Sequence, residues 1–198
     1  MTKIMNRSKG PLSGIKVIEL ATYVAAPIVG RMCADAGAEV IKIESKGGDP
    51  WRYSSAGYTK TDFTENPLFD IYNAGKKCIS LNIKTPDGAK IIMQMLEEAD
   101  IFLTNVRAAS LAKLGLGYDM LKEKFPRLIY ATMTGYGDEG PDRKAPGFDS
   151  TSFWSRSGFS ADMTFKSKGN YPVNSRFAMG DTASGTALYG GLMTALYQ

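Results

Sequence analysis

Between Leu12 and Ser45 the chain reads as strand, turn, helix and strand, and this run limits the fold more than any other stretch. Residues 15–20 are a short apolar run of the kind that forms a buried parallel strand. Pro27 suits the first turn of a helix, Gly37 suits its end, and residues 39–43 begin a second strand. Strand, helix and parallel strand form a βαβ unit, which presents a ligand at the carboxyl edge of a sheet. The first turn holds neither Gly-x-Gly-x-x-Gly nor Gly-Lys-Ser/Thr, so no dinucleotide or triphosphate pocket is indicated.

The alternation continues downstream. Residues 46–66 form a long irregular stretch, in which Trp51, Arg52, Tyr53 and Tyr58 argue for packing against the body. Residues 69–73 end a short helix and residues 77–81 form a strand. Thr85 is the expected N-cap of a helix with Pro86 at its first position, and Ile91, Ile92, Met95, Leu96 and Ala99 form its apolar stripe. Strand 101–105, helices 111–114 and 118–125, and strand 128–134 follow. The pattern predicts an α/β fold: a Rossmann-like, mostly parallel sheet with flanking helices and right-handed crossovers.

Beyond Gly135 the texture changes to a glycine-rich loop, a short helix over 150–158 and an exposed hairpin or loop over 161–171. The last helix, expected over 186–198, is apolar on nearly all faces and is therefore expected to be buried. It has no C-cap signal after it, so the chain is expected to be a piece of a longer protein, with residues 1–11 as a leader and 12–198 as the amino-terminal part of one large domain.

The sequence contains no histidine. That excludes Ser-His-Asp and Cys-His catalysis, histidine-ligated metals and imidazole acid–base chemistry. Cys33 and Cys78 lack Cys-x-x-Cys partners, so no disulfide framework and no metal site are expected, and both are expected as buried free thiols. The net charge of +4 is spread along the chain. It fits a solvated surface, or a few cations converging on an anionic small molecule, and no tract suited to nucleic acid is present. Residues 1–10 carry no apolar run and no apolar stretch reaches a membrane-spanning length, so no membrane association is expected and the cytoplasm is the default location.

Several stretches then match one family in order and spacing. They are residues 12–20 with Pro27, residues 37–44, Gly48-Asp49-Pro50, residues 73–82, residues 99–105, residues 130–141, Pro146-Gly147-Phe148-Asp149, and Gly180-Asp181-Thr182-Ala183-Ser184-Gly185. Together they resemble the class III CoA-transferases, the formyl-CoA transferase and carnitine CoA-transferase family. The turn at residues 21–27 and the Pro146–Phe153 region are most similar to members acting on 2-hydroxy acids in amino-acid fermentation, the phenyllactate and 2-hydroxyisocaproate CoA-transferases.

The resemblance implies that coenzyme A, as acyl-CoA, is a substrate, that no metal is needed, and that the full-length protein is an interlocked homodimer. It implies Asp181 as the catalytic nucleophile, forming a covalent aspartyl intermediate during transfer of CoA from an acyl-CoA to a free carboxylic acid. Read without the resemblance, Asp181 would cap the last helix. CoA binding is implied at Thr22, Tyr23, Val24 and Ala25, at Ser45, Lys76, Asn105, Val106 and Lys113, with Arg107 as an added cation. Lys76 and Lys113 are expected to meet phosphates. Racemases of the same family are similar but carry histidine where Phe148 stands, and Phe148 itself is expected as a core aromatic. An acyl-CoA racemase, an inactive CoA-binding fragment and an unrelated nucleotide-binding α/β protein remain as alternatives. Glu19, Glu44 and Asp149 are set aside as a glycosidase-type pair in favour of helix-cap or ion-pair roles.

Overall fold

The computed structural model of the chain describes residues 10–54, 66–166, 169 and 177–198. Tyr58, most of the leader and most of residues 167–176 lie outside the described residues. Five strands, β1 (Lys16–Leu20), β2 (Glu39–Glu44), β3 (Lys77–Ser80), β4 (Ile101–Thr104) and β5 (Ile129–Thr132), form one parallel sheet in the order β3-β2-β1-β4-β5. The expected α/β architecture is therefore the observed one.

The helices follow from local chemistry. Helix α1 (Pro27–Asp35) starts on Pro27, and Gly37 turns the chain beyond its end at φ +101°. Helices α2 (Trp51–Ser54) and α3 (Pro67–Asn73) lie between β2 and β3. The Asn66 side chain caps α3 by accepting the Phe69 N–H at 3.0 Å. Helix α4 (Pro86–Glu97) is capped by the Thr85 hydroxyl, which accepts the Gly88 N–H at 3.2 Å. Helices α5 (Ala108–Lys113) and α6 (Tyr118–Lys124) lead into β5.

Alternation along the strands builds two cores. Val17, Val40, Ile101 and Leu103 face α1 and the long final helix α8 (Met179–Tyr197). Ile18, Leu20, Ile43 and Phe102 face the other way, onto Ile92 and Leu96 of α4, Leu111 of α5 and Leu121 of α6. Each such buried aliphatic side chain contributes about 1.5–3 kcal/mol of transfer free energy. Ile91 of the expected α4 stripe lies outside this core, 42% exposed.

The region after β5 departs from expectation in several places. A π-helix spans Asp149–Arg156, and a true helix, α7 (Phe159–Lys166), stands where a hairpin or loop was expected. Helix α7 buries none of its residues, so no apolar stripe announces it in the sequence; its turns are tied by Lys166 donating to Asp162 at 2.6 Å and the Thr164 hydroxyl donating to Ser160 O at 2.7 Å. Helix α8 starts well before residue 186 and is buried on one side only, with Ala183, Thr186, Ala187, Gly190, Gly191 and Thr194 exposed. Its glycines imitate a loop, yet two of them serve contact: a Cβ on Gly180 would lie 2.2 Å from the Phe153 ring, and one on Gly185 would lie 2.3 Å from Ile28 Cγ2. Cys33 is buried as expected, and its thiol is pushed up to about 12 by burial. Cys78 is exposed, because β3 is an edge strand with open faces.

Candidate active site

The strand order reverses between β1 and β4, and ligands of open α/β sheets bind at the carboxyl ends flanking such a reversal. The turn after β1 is held there by side chains from other strand ends. The Asn105 amide donates to Thr22 O at 2.8 Å and accepts the Thr22 N–H at 3.1 Å. Lys42 Nζ donates to Ala21 O at 2.7 Å. Asp49 Oδ1 accepts the N–H of Tyr23 at 3.1 Å and of Trp51 at 2.9 Å. Tyr23 sits in the left-handed region at φ +63°, with its side chain thrown outward and 41% exposed. A non-glycine residue held there stores on the order of 1–3 kcal/mol of strain, and the clamp on both sides maintains it.

Beneath the turn lies a buried charge cluster. Lys42 pairs with Glu19 at 3.0 Å and Asp49 at 2.9 Å, while Lys76 pairs with the other Glu19 oxygen at 2.7 Å. Lys76 also donates to Pro27 O at 2.7 Å and Asn73 Oδ1 at 3.0 Å. Two carboxylates and two ammonium groups thus cancel with no side-chain exposure. Burial disfavours the Lys42 cation, but Glu19 and Asp49 outweigh it and hold its pKa above the ordinary value. At Lys76 burial prevails over Glu19 and the pKa is lowered. Gly30 is required above the cluster, since a Cβ there would lie 1.9 Å from Glu19 Oε2. Glu44 accepts Arg52 at two 2.7 Å contacts and the Asp49 N–H at 2.9 Å. Glu19 and Glu44 are therefore ion-pair residues.

Asp181 stands in the first turn of α8. It is half-buried. Gly185, one turn on and on the same helix face, approaches Ala25 O and Ile28, which brings this end of α8 against the turn after β1. The N-cap position belongs to Ala178, left-handed at φ +53° and without a capping side chain, so Asp181 is not the cap. The Asp149 carboxylate does that work instead, accepting the Asp181 N–H at 2.9 Å. Burial first, and the neighbouring Asp149 second, push Asp181 up to about 6. It remains mostly ionised at neutral pH, and the α8 N-terminus favours the anion by about 0.3–1 kcal/mol. Burial, with Asp181 and Asp149 adding to it, holds the Tyr72 hydroxyl above its ordinary pKa.

Asp149 is brought in by a pinch between two glycines. A Cβ on Gly135 would fall 2.5 Å from Gly147 Cα, and one on Gly147 would fall 2.3 Å from Gly135 Cα. The loop after β5 therefore closes on itself just before Phe148 and the π-helix. Phe148 is 62% exposed rather than a core aromatic, because the π-helix turns Trp154 inward in its place.

The structure gathers the expected residues unevenly. Thr22, Tyr23, Ala25, Asn105 and Val106 lie together at the rim, but the Asn105 amide is engaged by Thr22. Val24 is turned into an apolar cluster with Trp51, Phe69, Tyr72 and Ala178. Ser45 is exposed after β2, and Arg107 is exposed at the start of α5. Lys113 is exposed at the far end of α5, about 9 Å further along at 1.5 Å per residue. Lys76 corrects its expected role as a phosphate-facing cation: its ammonium points inward to Glu19, the partner that its burial requires.

Sequence reading missed Lys42, Asp49, Tyr72 and Asp149 as parts of the site. A signal existed for Lys42. Val17-Ile18-Glu19-Leu20 and Val40-Ile41-Lys42-Ile43 each carry one charge inside an apolar strand, of opposite sign, and Glu19 and Lys42 are direct register partners. Among the described residues no cluster of three or more His, Cys, Asp or Glu suits a metal ion, and no helix is long and apolar enough to cross a membrane.

Residues 12–198 match the family model described as CoA-transferase family III. The chain is 49% identical over 195 residues to cinnamoyl-CoA:phenyllactate CoA-transferase of Clostridium sporogenes, covering 98% of this chain and 47% of that protein. It is 42% identical over 188 residues to (R)-2-hydroxy-4-methylpentanoate CoA-transferase of Clostridioides difficile, covering 94% and 47% respectively. A crystal structure of a CaiB/BaiF family protein from Brucella suis superposes with a TM-score of 0.85 at 31% identity, over 96% of this chain and 50% of that one. The chain thus spans about half the length of the proteins it matches.

Proposed function

Because the chain belongs to CoA-transferase family III, we propose that it carries the nucleophile and part of the CoA site of an enzyme moving coenzyme A from an acyl-CoA to a free carboxylic acid. The observation that carries this reading is the Asp181 carboxylate, half-buried, at the end of α8 that rests on the turn after β1. The names of the two relatives support a 2-hydroxy acid as the acid partner. The exposed outer side of α8 supports further assembly, consistent with a homodimer of the full-length protein.

The chemistry suits a carboxylate and needs no histidine. An Asp181 oxygen attacks the thioester carbonyl carbon; the C–O bond forms, the C–S bond breaks, and CoA leaves as thiolate. The thiolate attacks the Asp181 carbonyl of the mixed anhydride, forming an aspartyl-CoA thioester and releasing the donor acid as carboxylate. The acceptor carboxylate attacks that thioester, expelling thiolate again. The thiolate then takes the acceptor acyl group and frees Asp181. No proton is gained or lost overall. The Tyr23 ring and the backbone of residues 22–25, with Ser45, Arg107 and Lys113, are the groups proposed to receive CoA. Lys76 acts from inside, holding Glu19 and the start of α1.

The test is mass spectrometry of the intact protein after mixing with acyl-CoA and hydroxylamine. A hydroxamate on the peptide holding Asp181 is expected, with transfer abolished and CoA binding kept in Asp181→Ala. An unmodified Asp181, or transfer surviving its loss, overturns the assignment. A racemase would need a proton carrier where exposed Phe148 stands. Exchange of the acyl α-proton in deuterated buffer, without transfer, would favour it.

A further inference from the structure

Resting on Asp181 as nucleophile, we infer that Asp149 is a positioning residue that sets the basicity of Asp181 and favours its acylated states. Asp149 Oδ1 accepts the Asp181 backbone N–H at 2.9 Å, so the Asp149 carboxylate is held against the residue that bears the nucleophile, across 32 residues of sequence. The placement is built from several directions. The Gly135–Gly147 pinch fixes the chain before Asp149, and the Phe148 N–H donates to Thr151 Oγ1 at 3.0 Å. Phe153, on the π-helix that Asp149 begins, packs against Gly180, the residue before Asp181.

A hydrogen-bond acceptor at the start of α8 needs no charge; asparagine or serine would serve. A carboxylate there adds repulsion toward the ionised nucleophile. Asp181 loses its own charge when it becomes an anhydride or a thioester, so repulsion from Asp149 is relieved in both covalent states. The free anion is raised in energy, and the intermediates are not. Among the described residues, the other groups near Asp181 do not offset this. Tyr72 on α3 is neutral, the start of α1 contributes Pro27 and Ile28, and the charges of α1, Arg31 and Asp35, pair with each other at 2.8 Å. The upward displacement of Asp181 by burial and by Asp149 agrees with this geometry.

The experiment compares Asp149→Asn and Asp149→Ala with the unaltered intact protein. Asparagine keeps an oxygen for the Asp181 N–H and removes the charge; alanine removes both. The acidic limb of the transfer rate against pH is expected to move down by about one pH unit in Asp149→Asn, the scale of a close like-charge interaction. Hydroxamate trapped at Asp181 under fixed acyl-CoA is expected to fall severalfold, with the melting temperature not lowered. Asp149→Ala should show the same limb and a lower melting temperature. An unmoved limb and undiminished trapping in Asp149→Asn, with Asp181 still labelled, overturn the role of Asp149 alone. Absence of label at Asp181 in the unaltered protein overturns both readings.

Discussion

At the residue scale, the site opposes two demands on Asp181. Burial and Asp149 favour its protonated form, and the proposed chemistry needs the anion. A carboxylate raised in the fold contributes stability that is complete below its unfolded value near 4 and is lost as pH climbs to about 6. Asp181→Asn mimics the protonated form. It should raise stability at pH 8 by about 1 kcal/mol, after allowance for partial exposure, with no gain at pH 4, while transfer is lost. Thermal melts at the two pH values check this, and an equal gain at both removes the titration argument. The family resemblance of the Gly-Asp-x-x-x-Gly segment pointed to Asp181, and its half-buried place in the first turn of α8 supports the proposed role. The Asp149 partner was not legible, because 32 residues separate the two and packing brings them together, through the glycine pinch and the Phe153–Gly180 contact. The inward turn of Lys76 was equally hidden, since nothing local to residues 73–77 names Glu19 as its acceptor.

At the element scale, the βαβ opening and the alternation after it were readable because strand runs, caps and stops agreed. Pro27, Gly37, and Thr85 with Pro86 all stand at the helix boundaries they suggested. Helices α7 and α8 were misread for opposite reasons: α7 lacks a buried face, and α8 carries glycines that serve close packing. Gly185 is the sharper case. A methyl group there meets Ile28 Cγ2 at 2.3 Å and Ala25 O at 2.7 Å, so α8 must lift from the turn after β1. Gly185→Ala should cost about 1–3 kcal/mol as overpacking and reduce transfer beyond what the stability loss explains. Urea unfolding with rate measurements well below the unfolding midpoint tests it. Full activity would mean that contact between α8 and the turn does not aim the carboxylate.

At the scale of the whole molecule, the described residues build a five-stranded sheet with a core on each face, whereas none of them covers the outer side of α8. Gly190 and Gly191 have nothing within 4 Å of an added Cβ. Within this chain Gly190→Ala should therefore stabilise by about 0.5–1 kcal/mol through helix propensity alone. The same substitution in a longer polypeptide reads the surroundings. A loss there, by thermal melt, would place another packed surface on the ridge from Ala183 to Thr194, and a gain would leave it open to solvent. The pinch at Gly135 and Gly147 has a different consequence. Because the backbone meets itself there, the segment from Tyr136 to Pro146 is a cul-de-sac hung from a closed doorway. Arg156 on the π-helix holds Asp142 of that segment, so substitutions elsewhere along it should leave the spacing of the two aspartates intact.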